Sequence, residues 1–135
     1  MVLTNATITI FNRFADREQK KFVYVPHVLA DVWFHAKQVI RPEQGGMVSA
    51  NDYRIRIPFP RDGWLPPNDF KDLVDAGDYW TVQDKDFFMV GVWDGGSVNG
   101  MEEIKKKFSG TAGVILNHSE NFFGSSQHIR IGGGD

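Results

Sequence analysis

The segment Asn51–Phe59, NDYRIRIPF, limits the possible folds more than any other stretch. Successive side chains of an extended backbone point to opposite faces, so Tyr53, Ile55 and Ile57 share one side and Arg54 and Arg56 the other. A helix would scatter those apolar residues around its axis. Pro58 and Pro60 remove ladder donors and end the run. A strand with one apolar face needs partners, and several other segments read as such. Thr4–Phe11 sets Thr7 and Thr9 against Ile8 and Ile10 and predicts a half-buried first strand. Val23–Val25 predicts a short edge piece before Pro26. Val28–Ala36 predicts a second strand, with Val28, Ala30, Val32 and Phe34 on one face and Leu29, Asp31, Trp33 and His35 on the other. Thr111–Leu116 and Gln127–Ile131 predict two later strands.

Trp80–Gly91, WTVQDKDFFMVG, reads as strand, turn and strand, with Asp84, Lys85 and Asp86 at the turn. This hairpin is expected at the centre of the fold. Asn12–Lys21 reads as a wide loop or a short helical turn, and Val39–Ser49 as a loop. Pro60–Tyr79 is an excursion predicted to carry a helix over Asp69–Ala76, capped by Asn68 or Asp69 and stopped by Gly77. Met101–Phe108 predicts a second short helix, with Glu102 and Lys106 at the favourable i, i+4 spacing. The expected fold is mainly β: a small antiparallel β-barrel or sandwich of six or seven strands, with one or two short helices in loop insertions. It forms a single domain over residues 1–135 and ends in a flexible glycine-rich tail, Gly132–Asp135.

Composition narrows the function. An apolar fraction of 41% and an aromatic fraction of 13% suit a chain with a packed core. A net charge of −2 gives a weak overall field and removes the whole-molecule case for tight nucleic-acid binding. With no cysteine, disulfides, thiolate metal sites and thiol nucleophiles are excluded. No apolar run approaches the roughly 20 residues that span a bilayer, and the first residues lack the pattern of a signal peptide. A soluble protein made in the cytoplasm is the expectation.

The candidate chemistry is sparse. His27, His35, His118 and His128 lack the spacing of a zinc site and read as ordinary histidines. Asp84 and Asp86 could form an acid–base pair, but in a hairpin turn they read as turn hydrogen-bonders. Gly95, Gly96 and Gly100 make a glycine-rich loop without the lysine of a phosphate cradle. No Gly-x-Ser-x-Gly elbow occurs. No enzyme activity, metal or cofactor is expected. A ligand-binding barrel is the minor alternative.

The order of blocks carries a resemblance: ITIFNRF, VLADVWFHAK, SANDYRIRIPF, WTVQDKDFFMVG and a closing strand IRIGGG. Together they resemble the head-closure (stopper) or head–tail connector proteins of tailed bacteriophages, and most closely a minor capsid protein variant of phages of Gram-positive hosts. The resemblance covers almost the whole chain, and its motifs are structural rather than catalytic. Pro60–Tyr79 and Asp94–Phe108 depart from the shortest stopper proteins. The resemblance implies a virion protein of the neck: a subunit of a ring, of six or twelve copies, between portal–adaptor complex and tail. Such a ring retains packaged DNA, lets it pass through the lumen without specific binding, and docks the tail terminator. A tail terminator or minor capsid role is the alternative within the same class. Long loops make contacts most often, so the expected interface residues are Arg41, Trp64, Trp93, Lys105 and Lys106.

Overall fold

The alternation of Tyr53, Ile55 and Ile57 recurs around a closed wall of strands. The computed structural model describes residues 4–134 except 44 and 45, and only the backbone between 38 and 50. Six strands, β1 (Ala6–Asp16), β2 (Lys21–Glu43), β3 (Gly46–Pro58), β4 (Phe87–Val90), β5 (Ala112–Asn121) and β6 (His128–Gly134), pair antiparallel in the order β1-β2-β3-β6-β5-β4. The pairing of β4 with β1 closes the barrel. Two short helices, α1 (Pro67–Lys71) and α2 (Met101–Lys107), lie in the connections.

The lumen is filled with side chains, as in other small barrels. Ile8, Ile10, Val32, Ile55, Ile57, Phe88, Ile115, Ile129 and Ile131 are fully buried there, with Leu29 and Tyr53 nearly so. Trp80 and Val82, from the excursion between β3 and β4, join the same core. Each such side chain stabilises the fold by about 1.5–3 kcal/mol relative to exposure. A second apolar layer covers the outside of β1 and β4: Phe11 and Met89 pack with Trp93, Val98 and Ile104 of α2. A third cluster joins Phe14 to Phe70 and Ala76, with the two rings edge-to-face at 5.6 Å.

The first strand is therefore buried on both faces rather than half-buried. Thr9, on its outer face, is fully buried; its Oγ1 donates to the Gly91 carbonyl at 2.9 Å and accepts from the Trp93 N–H at 3.1 Å. The expected loop Asn12–Lys21 is mostly strand and tight turn, because β1 continues to Asp16 and pairs with Lys21. The edge piece and second strand merge into one 23-residue strand running through Pro26. Proline is tolerated there because β2 meets β3 only from Trp33 onward, leaving one side of the ladder free at Pro26.

The expected faces of β2 also shift. Leu29 and Val32 both point inward, three residues apart, because the register with β1 slips between Ala6↔Val32 and Ile8↔Leu29. Asp31 sits at φ 56° in this bulge, and Val28 is left 40% exposed. Val39–Ser49 is not a free loop: its described residues extend β2 and β3, from Gln38↔Asn51 to Glu43↔Gly46.

The Trp80–Gly91 hairpin does not form. Only Phe87–Val90 is a strand, and its partners are β1 and β5. Trp80 makes a single parallel bridge to Trp64, and the chain then bonds to Asn12 of β1 through Thr81 before a turn at Lys85, φ 75°. α1 is shorter than expected. Pro66 and Pro67 set its start, only Phe70 anchors it to the core, and it stops at Lys71. α2 matches its expected span.

The flexible tail is the last correction. Gly132–Gly134 belong to β6 and pair with Arg54, Tyr53 and Asp52 of β3. Phe88 packs so closely on Gly133 that an added Cβ would lie 2.7 Å from its ring, so the glycine is a packing requirement.

Candidate functional site

The five expected interface residues fall in three places. Trp93 is not an exposed anchor. It is 8% exposed, its Nε1 donates to the Gly96 carbonyl at 3.0 Å, and its ring meets Phe11 edge-to-face at 5.5 Å. The tip of this loop is core as well: Val98 is buried and exchanges two backbone bonds with Tyr24, at 2.8 and 3.0 Å. Trp64 also folds back, half-buried against Phe59 and Phe122 with ring centroids at 5.6 and 5.5 Å. Lys105 and Lys106 are exposed on α2, as a solvated helix face requires. Arg41 lies on β2 opposite Val48, and nothing is described of its side chain.

Arg41 belongs to an arm. β6 reaches along β3 only to Asp52, and β1 reaches along β2 only to Val32. Beyond Gln38↔Asn51, among the described residues, the two long strands pair with each other alone through five further register pairs, the last being Glu43↔Gly46. A two-stranded ribbon outside the barrel carries unpaired N–H and C=O groups along both edges. On its own it is marginally stable in water.

The carboxylates of the expected hairpin turn have separate environments. Asp84 is exposed and holds His118 Nδ1 at 2.8 Å. Asp86 is 2% exposed; its Oδ2 accepts from Asn12 Nδ2 at 3.1 Å and Gln83 Nε2 at 2.9 Å. Asn12 also donates to the Thr81 carbonyl at 2.7 Å and accepts the Thr81 N–H at 3.0 Å. Burial pushes the Asp86 carboxyl up to about 6, against the opposing pull of Asn12, Gln83 and Arg13. Asp86 is thus a buried tie between Asn12 of β1 and Gln83 rather than a simple turn residue. Its alternation with apolar neighbours gave no hint of this, because Asn12 lies far away in sequence.

The histidines are dispersed. His27 stacks on Trp80 at 5.8 Å; burial pushes its imidazole down, partly offset by Asp78. His35 stacks on Trp33, and His128 Nδ1 lies 2.7 Å from the Ser126 carbonyl. Among the described residues, no three His, Cys, Asp or Glu side chains converge as metal ligands. Among them, too, no helix is long and apolar enough to cross a membrane. Three concavities lie around the barrel, lined by residues outside its packed lumen. One of about 560 Å³ is an open groove between the β1–β2 turn and residues 74–77.

One grouping was missed at the sequence level although its parts were visible. The outward residues of β2, β3, β6 and β5 line up in rows: Trp33, Arg56, Arg130 and Ser119, then His35, Arg54, Gly132 and Asn117. The Arg56 guanidinium lies 4.9 Å from the Trp33 ring centroid, and Trp33 stacks with His35 at 5.8 Å. Arg54 is 3.5 Å from Asp52. The alternation of YRIRI placed Arg54 and Arg56 outward, but only the register brings Arg130 beside them.

The sequence model of a family of unknown function (DUF6751) matches residues 3–134. No curated protein and no solved structure matches the chain.

Proposed function

We propose a structural role in the neck of a tailed phage for this chain, which belongs to the DUF6751 family. In this reading it is a head-closure or head–tail connector subunit that works by assembling into a ring. The observation that carries the assembly part is the β2–β3 arm. Barrel closure removes free edges from the six-stranded wall, and among the described residues the arm is a ribbon that no further strand covers. A ribbon of this kind gains most of its stability from something that covers it, and a neighbouring subunit is the natural cover. The order of sequence blocks supplies the choice of a phage neck. The packed lumen of the barrel speaks against an enclosed ligand as its purpose.

The test is association with neck partners. Solution mass is measured for the chain alone, with a portal–adaptor complex and with tail-terminator protein. The expected result is a ring, or stable attachment to one of these partners. A strict monomer with affinity for none of them overturns the reading.

A further inference from the structure

We propose that the outward face of β2, β3, β6 and β5 is a binding surface for the phosphodiester backbone of duplex DNA. The proposal rests on the neck reading for the presence of DNA, and it names the wall of the subunit turned toward that DNA. Four cations stand on this face: Lys37, Arg54, Arg56 and Arg130, all exposed. Of the outward residues in their rows, Asp52 alone is acidic, although the chain as a whole has a net charge of −2. The positive charge is therefore concentrated here against the balance of the molecule.

The register makes the case sharper. Arg56 and Arg130 are directly opposite each other on neighbouring strands. Like charges in such a pair destabilise a sheet, so folding alone gives no reason for it. Neither guanidinium has a carboxylate partner among the described residues, while Arg54 has Asp52. Between Arg54 and Arg130 the wall is hollow. A concavity of about 290 Å³ is lined here by Arg54, Arg130, Asn117, Ser119 and His118, which Asp84 holds, and by Asp52, the partner of Arg54. The glycine lets the Asn117 amide lie against the wall: a Cβ on Gly132 would stand 2.5 Å from Asn117 Oδ1. Two arginines flanking a recess with amide and hydroxyl donors match a phosphate, whose oxygens accept from planar guanidinium forks.

The aromatic residues favour duplex backbone over unpaired bases. Single strands bind on open ring faces. Trp33 already stacks with His35 and lies under Arg56, so it orients a guanidinium instead of offering a platform. Contacts of this type carry charge but no sequence information, which suits DNA that slides past.

The experiment is titration of the full chain with a fluorescent duplex of random sequence at about 50 and 200 mM salt. Four phosphate contacts predict a loss of affinity of about 150-fold across that range, and two contacts about 12-fold. Wild type is expected to follow the steeper dependence. R56A/R130A is expected to bind more weakly at low salt and to follow the shallower one. R56K/R130K keeps the charges and is expected to keep the steep dependence, which separates loss of contact from damage to the fold. Identical curves for wild type and R56A/R130A, or no binding by wild type at the lower salt, overturn the proposal. Displacement of the duplex by polyglutamate at equal charge concentration also overturns it and assigns the face to an acidic protein. DNA binding without partner association defeats the neck reading alone. Partner association with DNA binding insensitive to R56A/R130A defeats this face alone.

Discussion

Asp86 carries its carboxyl into a space with two amide donors and almost no water. Its folded pKa of about 6 exceeds the ordinary 3.8, so the native state holds the proton more tightly than the unfolded chain does. The contribution of this group to stability is full below pH 3.8 and is lost as the pH rises through about 6. Asp86→Asn keeps an oxygen for Asn12 and Gln83 and removes the charge. It is expected to flatten the pH dependence between about 4 and 6 and to raise stability near pH 7.5 by up to about 3 kcal/mol. Urea unfolding across that pH range checks this, and a variant weaker than wild type at neutral pH contradicts it. Trp93 gives a second residue-scale prediction. Buried against Phe11 and Ile104, it should cost about 3–5 kcal/mol when changed to alanine. A thermal shift near zero would return it to the surface. Its loop position in the sequence, beside Asp94-Gly95-Gly96, signals exposure; burial comes from a packing layer that joins β1, β4 and α2.

At the scale of elements, the bulge in β2 explains a misread strand. Period-two patterning assigns Val28, Ala30, Val32 and Phe34 to one face, yet Leu29 and Val32 are the buried pair. Asp31, at φ 56°, takes up the extra residue. Asparagine, aspartate and glycine tolerate this region, whereas a β-branched residue does not. Asp31→Val, which satisfies strand propensity, is therefore expected to destabilise the barrel by about 1–2 kcal/mol, and Asp31→Gly to leave it near wild type. Calorimetry of the two variants decides it; a gain in stability for valine would mean the bulge is absent. The expected hairpin at Trp80 fails for a related reason. Trp80, Val82 and Phe88 do belong to one core, as their apolar character indicates. Pairing is decided elsewhere, because β1 and β5 take both sides of β4 and leave no edge for residues 80–83.

At the scale of the whole molecule, barrel class, strand number and the second helix were legible because alternation such as that of Tyr53, Ile55 and Ile57 reports a one-sided wall. Closure, strand order and the burial of Gly132–Gly134 were not, since each depends on residues distant in sequence meeting across the ladder. The arginine face was half-legible for the same reason. The arm allows a test of assembly apart from folding. Replacing residues 39–50 with Asn-Gly joins Gln38 to Asn51 through a two-residue turn and leaves every pair of the barrel wall intact. The shortened chain is expected to melt within a few degrees of wild type and to lose association with neck partners. Unchanged association would show that the arm is dispensable. The length of β2 has a mechanical meaning as well. Its 23 residues span roughly 75 Å if straight, and they serve as barrel wall over one part and as arm over the other. A load at the tip therefore passes along one unbroken backbone into the ladder with β1, where many hydrogen bonds share it in shear. Within the barrel wall that ladder is interrupted once, at the Asp31 bulge, where the register between β1 and β2 slips.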